Sequence, residues 1–176
     1  MGDGAWLAAY AGLVRQEVTR QETLSDLFDR KTCLVPVPGS SPSPAGVWAA
    51  ERLARALCGV GLGASVWLGL RRHHAVRKSA TASSADRPTV GQHMNSLSVM
   101  CRTEPLPERV ILIDDVITRG RTILAAAARL HEALPHADIR AFALVRTMSF
   151  VAQLTHFFEP CQGVVRWAGG DARREP

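Results

Sequence analysis

At 176 residues, with 47% hydrophobic and 21% charged positions, the chain has the size and composition of one globular domain, which excludes a disordered or low-complexity protein. Its net charge of +5 suits an anionic ligand and is equally compatible with nucleic acid; much of it comes from Arg71, Arg72, Arg77 and Lys78 and from Arg173 and Arg174 in the tail. Cys33, Cys58, Cys101 and Cys161 form no C-x-x-C pair, so neither a zinc site nor a disulfide framework is indicated, and they read as reduced thiols of a cytoplasmic protein. No run of about eighteen apolar residues marks a membrane span, and no basic leader with a cleavage site is evident.

Residues Ala5 to Leu27 carry apolar side chains at Leu7, Ala11, Val14, Val18, Leu24 and Leu27, a spacing that predicts one or two amphipathic helices. Cys33 to Val37 predicts the first core strand. Pro38-Gly39-Ser40-Ser41-Pro42-Ser43-Pro44 reads as a loop, with Pro44 suited to the first turn of a helix over Ala45 to Leu57. Ala64 to Leu70 predicts a second strand, Leu97 to Met100 a weaker one, Val110 to Ile113 the third core strand and Ile139 to Val145 the fourth. Arg71 to Asn95 is long, basic and rich in Ser, Thr and Ala; a loop of that length in a compact domain is functional or disordered. His73 and His74 are adjacent, point apart on a strand and have no third ligand at a useful spacing, so no zinc site is expected. The alternation of strands and helices predicts an α/β fold, a Rossmann-like, mainly parallel sheet flanked by helices. With no repeat or linker, one domain is expected over residues 1–176.

The most informative stretch is Val110 to Thr122, reading Val-Ile-Leu-Ile-Asp-Asp-Val-Ile-Thr-Arg-Gly-Arg-Thr. Four branched apolar residues suit a strand buried on both faces, which puts Asp114 and Asp115 at its carboxyl end. Ile123 to Leu134 has a helix composition, so Thr118 to Thr122 is expected to carry that helix's N-terminus. Such a terminus favours a phosphate: Gly120 permits close approach, and the hydroxyls of Thr118 and Thr122 add donors. Two carboxylates there would repel a phosphate unless they face sugar hydroxyls or a divalent cation such as Mg²⁺. The implied ligand is a phosphorylated sugar; the bland alternative is an acidic turn capping an ordinary helix. Upstream, Val35-Pro36-Val37-Pro38-Gly39-Ser40 leads from a strand end to a small-residue turn that suits a second anion, or is simply a proline- and serine-rich connector.

The order of hydrophobic strand, acidic pair and Thr-x-Gly-x-Thr turn resembles the 5-phosphoribosyl pyrophosphate (PRPP) signature of the type I phosphoribosyltransferases. The Val-Pro-Val-Pro strand end ahead of Glu51-Arg52-Leu53-Ala54 is nearest to the competence-protein F-like, amidophosphoribosyltransferase-related branch, and the resemblance covers roughly Cys33 to Thr147. It implies that Asp114 and Asp115 hold the ribose 2′ and 3′ hydroxyls, directly or through water on Mg²⁺. It further implies that Val116, Ile117, Thr118, Arg119, Gly120, Arg121 and Thr122 cradle the 5′-phosphate, and that Pro38, Gly39, Ser40, Arg72 and Arg77 lie against pyrophosphate. Lys78 or Arg77, in a flap, would bring a cation to the departing pyrophosphate, which makes Lys78 a catalytic candidate beside the two aspartates. The implied reaction is displacement at ribose C1 by a nucleobase or amine, with no nucleophile from the protein. Arg119 and Arg121 depart from the small or neutral residues that many members carry there, and the branch's metal-binding cysteines ahead of the core are not found in this chain.

The resemblance also implies a core over residues 31–147 and a small hood built from 1–30 and 148–176, where the acceptor would sit. Trp167 is the candidate base platform, with Phe157 and Phe158 as further aromatics and Asp171 to read an exocyclic amine; core packing competes for each aromatic. A homodimer is expected. Two other classes remain. One is a PRPP- or nucleotide-sensing module acting on nucleic acid or a protein partner; the other is a phosphatase-like protein with Asp114 as nucleophile, which the position of the turn after the acids disfavours.

Overall fold

A computed structural model describes residues 3–42, 47–77, 87–101, 105–147 and 160–175. Helices α1 (Asp3–Arg20) and α2 (Glu22–Ser25) lead into β1 (Cys33–Pro36), followed by α3 (Ala49–Gly59), β2 (Ser65–Val66), β3 (Leu70–Arg72), α4 (Val90–Ser96) and β4 (Leu97–Val99). Then come β5 (Arg109–Ile117), α5 (Arg121–Ala133), β6 (Asp138–Arg146) and a tail hairpin of β7 (Val164–Ala168) and β8 (Asp171–Glu175). The fold is α/β: β2, β1, β5 and β6 form a parallel sheet in that order.

Strand alternation explains the layers. Leu34, Ile111 and Ile113 face one side, where they pack with Ala11, Val14 and Val18 of α1 and Leu53, Ala54 and Leu57 of α3. Cys33, Val35, Val110 and Leu112 face the other, against Val90 of α4 and Ile123, Ala126 and Leu130 of α5. Both faces being covered, the central strands are apolar over Cys33 to Val37 and Val110 to Ile113, as a doubly covered parallel strand requires. Among the described residues, no helix is long and apolar enough to cross a membrane.

Several boundaries differ from the sequence reading, each for a tertiary reason. Strand β5 does not stop at Ile113 but carries Asp114 and Asp115 within it, because β6 keeps supplying a partner through Asp114 with Ala143, Val116 with Val145 and Ile117 with Arg146. The expected strand from Ala64 to Leu70 is split. Ser65–Val66 pairs with β1, whereas Leu70–Arg72 leaves to pair antiparallel with β4; at Gly69 between them a Cβ would lie 2.6 Å from the Trp67 ring. Helix α3 begins at Ala49 rather than Ala45, after an extended Trp48 whose indole Nε1 donates to the Val37 carbonyl at 2.8 Å; Pro44 lies outside the described residues. Within the expected loop from Arg71 to Asn95 stands α4, opened by a capping box in which the Thr89 hydroxyl accepts from Gln92 N–H and the Gln92 side chain accepts from Thr89 N–H.

Candidate functional site

From β1 the chain passes through α3 to β2 on one side, and from β5 through α5 to β6 on the other. The junction of β1 and β5 is therefore a topological switch point, where open α/β sheets leave a crevice at their carboxyl ends. The crevice is deepened by unequal lengths. Strand β1 ends at Pro36, and after one more bond from Val37 N–H to Ile113 O the chain turns away. Strand β5 runs on to Ile117 with that edge uncovered. A cleft of about 330 Å³ results, lined by residues 37–40, Arg72, Arg77, Arg87, His93 and residues 114–123.

Its floor is the turn between β5 and α5. Gly120 is the N-cap of α5 in a left-handed conformation (φ 82°), which glycine adopts without penalty. Among the described residues no side chain caps this helix, so its first N–H groups are not masked by a cap. The absent Cβ has a second use beyond the expected close approach of a ligand: a Cβ at Gly120 would lie 2.7 Å from Val165, so the tail hairpin rests on the turn itself. That hairpin folds through Gly169 and Gly170, both at positive φ, as a tight two-residue connection demands.

The two arginines of the turn are anchored from the tail. Arg121 forks onto the Asp171 carboxylate through Nε and Nη2, while its Nη1 donates to the carbonyls of Arg87 and Pro88 at 3.2 and 3.1 Å. Arg119 Nη1 stands 3.8 Å from the same carboxylate. The Arg121 hydrogen bonds hold the Asp171 carboxyl below the usual carboxylate range. Asp171 thus anchors the turn from the tail.

Opposite, the acidic pair forms one wall. Asp115 N–H donates to Asp114 Oδ1 at 3.0 Å, and burial, reinforced by Asp115, pushes the Asp114 carboxyl well above its ordinary pKa. Among the described residues no basic side chain forms an ion pair with either carboxylate. The second wall is residues 37–40 with Arg72 behind them. Arg72 is only 3% exposed, and it donates to the Gly39 carbonyl and to the Ser96 hydroxyl, which itself donates to the His93 carbonyl at 2.7 Å. Among the described residues no carboxylate pairs with Arg72, and burial pushes it down to about 10.

Of the residues singled out from sequence, Pro38, Gly39, Ser40, Arg72, Arg77, Asp114, Asp115, Val116, Ile117, Thr118, Arg119, Gly120, Arg121 and Thr122 all line this cleft. Lys78, Phe157 and Phe158 lie outside the described residues. Trp167 is 54% exposed on β7, and it does not line the cleft. His93 does, although apolar periodicity does not mark α4; the Thr89-x-x-Gln92 spacing is the sequence signal that places it on a helix. No protein-family model matches the chain, and no curated protein matches it either.

Proposed function

We propose that the chain is a phosphoribosyltransferase of type I character, transferring the 5-phosphoribosyl group of Mg-PRPP to a nucleobase or amine with release of pyrophosphate. The observation that carries the reading is the convergence of three unlike groups on one 330 Å³ cleft: an uncapped helix N-terminus, an acidic pair without a basic partner among the described residues, and a buried guanidinium without a carboxylate partner among them. A helix N-terminus suits one phosphate, a desolvated guanidinium suits a second anionic group, and carboxylates between them suit hydroxyls or a cation. A ligand with a phosphate at one end, a diol in the middle and a diphosphate at the other meets all three demands.

On this reading the turn over residues 118–122 holds the 5′-phosphate, and Asp114 and Asp115 accept hydrogen bonds from the ribose hydroxyls. Arg72 and Arg77 face the pyrophosphate beside residues 38–40. The acidic pair also fits Mg²⁺, which binds through one or two carboxylates together with substrate oxygens, and a cation would offset the burial that disfavours ionised Asp114. Bound there, Mg²⁺ supplies neutralisation of charge on the departing pyrophosphate. The protein's own residues contribute position and electrostatics: they align C1 for an incoming nitrogen and need supply no nucleophile. Four cysteines outside any disulfide fit a reducing, cytoplasmic setting for this chemistry.

A PRPP-responsive module that binds nucleic acid is the second reading, favoured by the tail hairpin. There Arg166 stands directly across from Arg173 on one face of the ribbon, and exposed Trp167 lies on the other, so a basic face and an aromatic that suits base stacking share one hairpin. Pyrophosphate release from PRPP, assayed with a panel of nucleobases and amines, separates the two. Turnover that is lost in an Asp114→Asn/Asp115→Asn variant supports the transferase. PRPP binding without turnover, together with salt-sensitive RNA or DNA binding, supports the sensor.

A further inference from the structure

His93 lines the cleft beneath the anion-binding turn, and nothing in the reaction above uses it. The side chain is 3% exposed and packs from α4 against the start of α5. Its Nε2 lies 3.5 Å from the Thr122 hydroxyl oxygen, the outer reach of a hydrogen bond, while its Nδ1 is buried with no partner among the described residues. Burial, aided by Arg72 and then Arg121, pushes the ring's pKa down to about 4, so the imidazole is neutral at ordinary pH and carries one N–H. That proton has two places to go. On Nδ1 it would strand a buried donor, which folded proteins rarely tolerate; on Nε2 it points at Thr122 and leaves only a lone pair unmatched.

We propose that His93 is a positioning residue for the anion site: its Nε2–H donates to the Thr122 hydroxyl oxygen and thereby turns the Thr122 proton outward, as a donor to a phosphate bound at the α5 turn. A hydroxyl both accepts and donates, so a fixed donor behind it commits its own hydrogen to the ligand side. Reversed, with a ring acceptor behind it, Thr122 would present lone pairs to an anion. The inference rests on the phosphate-binding reading of the turn and adds what orients one of its donors.

The test is calorimetric titration of the full chain with ribose 5-phosphate, in wild type and in His93→Leu, His93→Phe, His93→Gln and Thr122→Val variants, with thermal melts to verify folding. Gln restores an N–H at comparable reach, whereas Leu and Phe do not. The expected pattern is about tenfold weaker binding for the donor-free His93 variants and for Thr122→Val, and affinity within about threefold of wild type for His93→Gln. Adding His93→Leu to Thr122→Val should cost no more than about twofold further, since the two residues act as one unit. Wild-type affinity in a folded His93→Leu or His93→Phe protein, a His93→Gln protein as weak as these, or additive losses in the double variant would each overturn the proposal while leaving the phosphate site standing. Failure of wild type to bind ribose 5-phosphate would overturn the phosphate reading, and the proposal with it.

Discussion

The two anion-facing segments of the cleft reach similar ends by different physics. The turn over residues 118–122 works through backbone: a left-handed glycine, an uncapped helix N-terminus and arginines already tied to Asp171. The loop over residues 37–40 has fewer backbone donors: Pro38 lacks an N–H and the Val37 N–H is spent on the Ile113 carbonyl at 2.8 Å, which leaves those of Gly39 and Ser40. Its positive charge comes from side chains, the buried Arg72 and, nearer solvent, Arg77. A dipole array is spread over several atoms and tolerates loss of a single side chain, whereas a lone desolvated cation does not. His93 lines the same cleft and feels both regions, since Arg72 and Arg121 each disfavour its charged form.

That difference can be broken experimentally. The largest effect expected is on stability against pH. His93 has a folded pKa of about 4 against 6.5 when unfolded, so the unfolded chain binds more protons between those values. Its contribution is fully present above about pH 6.5 and is lost as pH falls toward 4, by roughly 3 kcal/mol. Chemical denaturation across that range should show the slope in wild type and a flatter curve in His93→Gln; parallel curves would contradict the buried neutral imidazole. Next, Arg72→Ala should weaken PRPP about 100-fold, the scale of losing a buried charged contact, while weakening ribose 5-phosphate far less. Equal losses for both ligands, measured by calorimetry, would erase the distinction between the two segments.

Gly120→Ala should destabilise the fold by about 2 kcal/mol, combining the positive φ with the collision against Val165. In a Val165→Ala background the added cost should fall by about half, because the collision is relieved and the φ is not. Smallest of the set, Asp171→Asn should lower stability by about 1 kcal/mol, since a forked, partly exposed carboxylate is replaced by an amide. Melting curves check both.

How much of this could be read from sequence follows from the range of the interactions involved. The buried strands around Cys33–Val37 and Val110–Ile113 and the turn after them were legible because apolar runs, a Gly and flanking hydroxyls are local signals. The extension of β5 through Asp114 to Ile117 was not, since it depends on pairing with β6, whose residues lie some thirty positions away. The departure of β3 from the main sheet goes with its antiparallel pairing to β4, some thirty positions on. Helix α4 is seven residues long and mostly polar, too short for periodicity to reveal, although its capping box was in plain view. Within the site, the residue types of the turn marked themselves. Its clamp by Asp171, fifty residues on, and the burial of His93 and Arg72 without charged partners among the described residues are properties of the assembled fold. The glycines after Trp167 signal a bend locally, but where that bend carries the ring is set by the hairpin pairing, and Trp167 does not line the cleft.

The most direct test of the central claim is calorimetric titration of the wild-type chain with PRPP, with and without Mg²⁺. The account predicts saturable one-to-one binding that is strengthened by the metal and lost in the Asp114→Asn/Asp115→Asn variant. Absence of PRPP binding under both conditions, or binding indifferent to the metal and to both aspartates, would contradict it.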